Sequence, residues 1–308
     1  MTTTPQTQPP RTSPEAETLR ALYADWSQIL ATTPDITMRL LRSVFDEWHQ
    51  PTAEPTDVTY DDETVGGVPG IWVLPAGADR TKVLLYLHGG GFAVGSAASH
   101  RKLAGHVAKA LGVTAFVLDY RRAPEHPHPA QVEDGVACFT ALTERGIAAG
   151  DITTIGDSAG GNLAIAVPLA LRERGLPLPG RVIAFSPWVD MENKGETLTT
   201  NDATDALITV GLLEGMIAGV LGDTVPPTTP LANPLYADFT GFPRLYINAG
   251  SAESLLDNAT RVADRARAAG ADVTVSIVDG MQHVFCFLAG TAPEADDEIR
   301  RIAEWYDA

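Results

Sequence analysis

Ile152-Thr153-Thr154-Ile155-Gly156-Asp157-Ser158-Ala159-Gly160-Gly161-Asn162 is the stretch on which the reading of this chain turns. Its first four residues are apolar or β-branched and read as a strand. From Asn162 to Leu171 the apolar residues run at helical spacing. Between the two stands Gly-x-Ser-x-Gly, the sequence that holds a serine on a sharp elbow at the carboxyl edge of a sheet when strand, turn and helix follow in that order. A Cβ at either flanking glycine would collide with the neighbouring strand and helix. The start of the helix also turns backbone N–H groups toward the serine.

Upstream, the strand Val83–Leu87 runs directly into His88-Gly89-Gly90-Gly91-Phe92. Glycines let the backbone approach a substrate and expose its N–H groups. Acyl transfer builds negative charge on a carbonyl oxygen, and one pre-placed donor is typically worth ~2.7–4 kcal/mol there. No G-x-G-x-x-G series or G-K-[ST] follows, which argues against a phosphate loop. His88 is expected to anchor this loop rather than to transfer protons.

A serine hydroxyl needs a base, and the base needs a group to orient it. Of the 7 histidines, only His283 follows Ser158. It lies just past the strand Val273–Val278, where a loop at the carboxyl end can reach the elbow. The carboxylate should follow the strand Leu245–Asn248. Glu253 is nearer the strand end and is preferred; Asp257, one helical turn further, is the alternative acid.

Working outward, short apolar runs at Val83–Leu87, Thr114–Leu118, Ile152–Ile155, Val182–Phe185, Leu245–Asn248 and Val273–Val278 lack alternation, as do strands buried on both faces. Helical patterns lie between them, at about 99–111, 129–145, 162–174, 253–269 and 293–306. This order predicts an α/β fold: a mostly parallel central sheet with helices on both faces. Asp57–Tyr60 and Gly70–Leu74 flank Gly66-Gly67 and predict a hairpin. Ser13-Pro14-Glu15 starts one helix, with Leu19, Leu22, Tyr23, Trp26, Ile29 and Leu30 at helical spacing. Thr33-Pro34-Asp35 starts a second, running through Met38, Leu41, Val44, Phe45 and Trp48. Residues 190–240 carry helical segments around Asp205–Leu221 and a loop-rich Pro226–Pro234, but no strand; they read as an insertion above the sheet. The organisation is therefore one domain over 1–308, with a flexible tail at 1–13 and accessory helical regions at 14–50 and 190–240. Leu19, Leu22, Trp26, Met38 and Leu41 could line a substrate channel or pack on the sheet.

The chain has 308 residues, 44% hydrophobic and 20% charged, which excludes disorder over most of its length. With 22 basic and 39 acidic residues the formal charge is −17, and such a surface argues against nucleic acid as a partner. Cys138 and Cys286 sit in apolar stretches and read as buried thiols in a reducing compartment. The opening MTTTPQTQPPRTSP has no apolar core, and no run approaches ~18 apolar residues. The expectation is a cytoplasmic protein without signal peptide or membrane span. Glu125-His126-Pro127-His128 lacks a tetrahedral ligand set and reads as a structural loop, not a metal site. Asn258-Ala259-Thr260 fits a glycosylation sequon but falls on a predicted helix.

Four motifs together carry a resemblance. They are Tyr86-Leu87-His88-Gly89-Gly90-Gly91-Phe92, Asp119-Tyr120-Arg121-Arg122-Ala123-Pro124-Glu125-His126-Pro127, Gly156-Asp157-Ser158-Ala159-Gly160-Gly161-Asn162 and Ser186-Pro187-Trp188. Over about residues 57–308 the chain resembles the hormone-sensitive-lipase-like bacterial carboxylesterases (family IV) of the α/β-hydrolase fold. The resemblance implies Ser158 as nucleophile, His283 as base and an oxyanion hole from the backbone of Gly89, Gly90, Gly91 and Ala159. The usual family acid is the aspartate of D-P-L-x-D. Here Glu253-Ser254-Leu255-Leu256-Asp257 puts Glu253 on that position and Asp257 on the second one. This variant is similar to esterases and monoterpene ε-lactone hydrolases. The family's N-terminal helices and inserted segment form a cap, in agreement with the two accessory regions.

The expected activity is hydrolysis of short- to medium-chain carboxylic esters through an acyl-enzyme, with no metal or organic cofactor. The same machinery could open a lactone or remove an acetyl group from nitrogen or oxygen, and a non-catalytic small-molecule receptor can share the scaffold. The partner is a small ester or lactone, neither nucleic acid nor membrane; the oligomeric state is left open, a homodimer included.

Overall fold

The computed structural model describes residues 12–308. The expected tail of residues 1–13 lies outside the described residues apart from its last two. One of these, Ser13, is not loose: its N–H and Oγ donate to the Glu294 carboxylate at 2.6 and 2.8 Å. Ser13 also caps the turn Pro14–Ala16 that opens helix α1 (Glu17–Thr32). The second helix, α2 (Met38–Phe45), starts later than Thr33-Pro34-Asp35. Thr37 caps it by accepting from the Leu40 N–H, and a 3-10 turn, Asp46–His49, completes the expected helical run.

Eight strands follow in the described chain: β1 (Val58–Val65), β2 (Val68–Pro75), β3 (Asp79–Leu87), β4 (Val113–Leu118), β5 (Ile152–Asp157), β6 (Arg181–Phe185), β7 (Arg244–Gly250) and β8 (Val273–Val278). They form one sheet in the order β1-β2-β4-β3-β5-β6-β7-β8. β1 and β2 make the predicted hairpin, and β2 pairs antiparallel with β4; every pairing from β4 to β8 is parallel. The interleaved helices are α3 (Ala97–Leu111), α4 (Ala130–Glu144), α5 (Ala159–Glu173), α6 (Thr197–Thr200), α7 (Val210–Leu221), α8 (Leu256–Ala268) and α9 (Pro293–Asp307). α3 packs with α9, while α4 packs with α5, and α8 covers β7 and β8.

β4, β5 and β6 are buried almost throughout, and β3 is buried from Val83 to Leu87, as runs without alternation should be. β8 departs from that expectation. It is the last strand of the sheet and is only half-buried, with Ile277 47% exposed. An apolar run alone does not distinguish a central strand from an edge with one neighbour. Residues 190–240 contain α6 and α7 but no strand, as expected.

This topology places the carboxyl ends of β3, β5, β7 and β8 at one rim, followed respectively by residues 88, 158, 251 and 279.

Candidate active site

At that rim β5 ends and α5 begins around a single residue, Ser158, with φ +54° and ψ −118°. A non-glycine residue in this region is strained, and the surroundings must hold it there. Its N–H donates to the Phe185 carbonyl at 2.8 Å. The flanking glycines explain the tight turn. A Cβ on Gly156 would lie 2.3 Å from the Gly160 oxygen, and one on Gly160 would lie 2.0 Å from the Leu87 oxygen.

His283 Nε2 lies 2.9 Å from Ser158 Oγ, and both residues are buried. In the tautomer with its proton on Nδ1, the ring accepts the serine hydroxyl. Nδ1 faces Glu253 Oε2 at 3.8 Å, beyond hydrogen-bond reach. That oxygen instead accepts from Ser186 Oγ at 2.7 Å and from the Gly250 N–H at 3.1 Å. Glu253 Oε1 and His283 Nδ1 are both buried without a partner. Burial pulls the imidazolium down, but the negative charge of Glu253, helped by Asp205 and Asp157, outweighs it and raises the pKa of His283 above the ordinary histidine value. The Glu253 contribution acts through its field across 3.8 Å rather than through a bond.

Asp257 is engaged elsewhere. It sits in the first turn of α8, and its Oδ2 accepts the Thr197 N–H at 3.0 Å at the start of α6. Of the two carboxylates considered from sequence, the one brought beside the imidazole is Glu253.

The glycine loop needs one correction. The N–H of Gly89 turns into the protein, toward Asp157 Oδ1 and His100 Nε2, each at 3.2 Å. It is therefore not available to an oxyanion. Among the described residues no acceptor takes the N–H of Gly90, Gly91 or Ala159. Buried Asp157 also accepts from the Tyr86 hydroxyl at 2.8 Å, so the residue before Ser158 braces the loop that faces it. His88 holds the same loop: its ring stacks on Tyr120 at 4.1 Å and Nδ1 donates to the Gly89 carbonyl at 2.8 Å. Burial pushes its pKa well below the ordinary value, so it stays neutral.

Gly90, Gly91, Ser158 and His283 open into a narrow cavity of about 30 Å³, room for about two waters. Its apolar walls come from both accessory regions: Phe45 and Trp48 from the first, Leu207, Leu213 and Met216 from the second. Leu19, Leu22, Trp26, Met38 and Leu41 pack in the core or against it instead, and none lines the cavity. Two residues at the site were not singled out from sequence. Tyr23 is one of the helically spaced residues of α1, and its hydroxyl donates to the His283 carbonyl at 2.9 Å. Ser186 opens the Ser186-Pro187-Trp188 motif, and nothing in the sequence around it marks its contact with Glu253.

Outside the site, the Glu125–His128 loop is a strap. Glu125 pairs with Arg42, which pulls its carboxyl down to about 2, and the His128 N–H donates to the Val220 carbonyl at the end of α7. Cys138 and Cys286 are buried free thiols. Among the described residues no helix is long and apolar enough to cross a membrane.

Known proteins resemble this chain over most of its length. The family described as alpha/beta hydrolase fold matches residues 84–287. An acetyl-hydrolase of Streptomyces hygroscopicus is 42% identical over 231 residues, which is 75% of this chain and 77% of that protein. An esterase of Acinetobacter venetianus is 34% identical over 75% of this chain and 77% of its own. A crystal structure of an esterase from the bacterial hormone-sensitive lipase family superposes with a TM-score of 0.91 at 39% identity, covering 96% of this chain and 98% of the other.

Proposed function

We propose, for a chain that belongs to the bacterial hormone-sensitive lipase family of α/β-hydrolases and is a carboxylic ester hydrolase, that Ser158 is the nucleophile, His283 the general base and Glu253 the carboxylate whose charge supports it. The observation that carries the assignment is the 2.9 Å contact between Ser158 Oγ and His283 Nε2 at the strained elbow. Ser158 Oγ attacks the ester carbonyl as its proton passes to Nε2. The carbonyl oxygen, now negative, is received by the N–H groups of Gly90, Gly91 and Ala159. The tetrahedral species collapses, the C–O bond to the alcohol breaks, and His283 protonates the departing alkoxide. Water then attacks the acyl-enzyme, with His283 again taking and returning the proton. Glu253 favours the Nδ1–H tautomer and stabilises the imidazolium by its charge.

The accessory regions at 14–50 and 190–240 act as a cap within one domain. Met216 supports this reading: a Cβ on Gly91 would lie 2.8 Å from its Cγ, so α7 rests on the oxyanion loop. The narrow apolar cavity favours short acyl groups, acetyl to butyryl, over long chains. The acetyl-hydrolase relative favours a second reading in which acetyl is the group removed. The buried thiols fit a cytoplasmic location.

Steady-state hydrolysis of p-nitrophenyl acetate, butyrate, octanoate and palmitate, a lactone and an acetamide tests both points. Ser158→Ala should lower kcat by roughly 10⁴-fold or more on every ester. Rates should fall sharply beyond butyrate. A mutant with wild-type turnover refutes the nucleophile assignment, and a preference for acetamide refutes the ester reading.

A further inference from the structure

The residue after the catalytic histidine, Val284, has φ +51° and ψ +47°. A β-branched residue in the left-handed region is a genuine outlier, because its branched Cβ crowds the backbone. Such a conformation persists only where the surroundings over-determine it. Here both polar groups of the His283–Val284 peptide are held by hydroxyls. The carbonyl of His283 accepts from Tyr23 Oη at 2.9 Å, and the N–H of Val284 donates to Ser186 Oγ at 3.0 Å. One hydroxyl belongs to the N-terminal helix α1 and the other to the turn after β6.

The two bonds are links in a longer directed chain. Trp48 Nε1 donates to Tyr23 Oη at 2.9 Å, and Ser186 Oγ donates to Glu253 Oε2 at 2.7 Å. Every donor points the same way, from the cavity wall through the histidine's own peptide to the carboxylate beside its ring. Hydrogen bonds in such a series polarise and strengthen one another. Tyr23 is fully buried, and burial raises its pKa, so the phenol remains a donor throughout the working pH range. Its ring packs against Trp26 and Trp48, with centroids 5.8 and 6.4 Å away.

We infer that Tyr23 is a positioning residue for His283: with Ser186 it clamps the strained His283–Val284 peptide, and that clamp fixes the imidazole against Ser158. The inference rests on His283 being the base, as proposed above. It makes α1 part of the catalytic apparatus as well as a wall of the cap. Without the clamp, the peptide can rotate toward an unstrained conformation, and the ring, which gains no hydrogen bond from Glu253, loses its alignment.

The test is a cycle of Tyr23→Phe, Ser186→Ala and the double variant on p-nitrophenyl butyrate, with Ser158→Ala as control. Tyr23 does not line the cavity, so Tyr23→Phe should lower kcat roughly 10- to 100-fold, the scale of a small misplacement of reacting groups, with KM within about twofold. The double variant should lose less than the product of the single losses, since both hydroxyls hold one peptide. Wild-type kcat in Tyr23→Phe, or strictly multiplicative losses, overturns the inference. A loss of packing alone would lower the melting temperature without this split between kcat and KM. Should Tyr23→Phe not fold, Ser186→Ala alone carries the test: a fall in kcat of roughly 10-fold or more with KM within about twofold supports the clamp, and unchanged kcat overturns it. If Ser158→Ala is inactive while Tyr23→Phe is normal, only the clamp fails. If Ser158→Ala is active, the reading beneath it fails first.

Discussion

His283, the proposed base, is fully buried, and its charge is decided by a contest there. Burial disfavours the cation; Glu253, then Asp205 and Asp157, favour it and prevail. In the proposed mechanism the ring must be neutral to accept the Ser158 proton. A raised pKa therefore places the acid limb of kcat/KM above the ordinary histidine value, with activity lost as pH falls through it. Glu253→Gln removes the main negative charge, so this limb should move to lower pH while the plateau of kcat falls by roughly 10²- to 10⁴-fold. Asp257→Asn should leave both within about threefold, because that carboxylate binds the Thr197 N–H instead. A pH–rate profile of both variants decides the assignment, and a limb that moves in Asp257→Asn rather than Glu253→Gln would reverse it. Residue types and chain order already make the juxtaposition of Ser158, His283 and Glu253 legible. The fate of the Gly89 N–H was not legible, because it depends on Asp157, 68 positions away, and on His100.

Among the elements, α2 is held to the glycine-loop region through one side chain. Arg42 donates from Nε to the Ala93 carbonyl at 2.9 Å, from Nη2 to the Ala123 carbonyl at 3.0 Å, and from both Nη atoms to Glu125. The ion pair itself is half in water, so its net worth is small. The two carbonyls matter more, since each is left partly buried and unpaired when the guanidinium goes. Arg42→Ala should destabilise the protein by about 1–3 kcal/mol, and Arg42→Lys should recover little because an ammonium cannot fork across these acceptors. Thermal melts would show it; an unchanged midpoint in Arg42→Ala would mean that α2 is held by its apolar face alone. The elements themselves were mostly legible, each from a local pattern: runs without alternation for β3 to β6, glycine pairs for the hairpin, a proline after a cap for α1. The misreadings came where neighbours decide. α2 starts at Thr37 because its side chain reaches the Leu40 N–H, and β8 is half-exposed because no strand lies beyond it.

For the whole molecule, the parallel sheet brings residues 88–91, 158–159, 253 and 283 to one rim, and two helical regions close over it. The rim was predictable because a strand's carboxyl end fixes where its loop must go. The closure was not, since Tyr23 meets His283 across 260 positions and nothing near either residue marks the contact. Catalysis on this account depends on both levels: a nucleophile presented by the sheet and a base held in register by the cap. The direct measurement is covalent labelling with a fluorophosphonate, which reacts only with a serine activated by its base, followed by mass spectrometric mapping of the modified peptide. One adduct per chain on the peptide containing Ser158, absent in Ser158→Ala and formed far more slowly in His283→Ala, is the predicted result. An adduct on another residue, or labelling of Ser158→Ala at the wild-type rate, would contradict it.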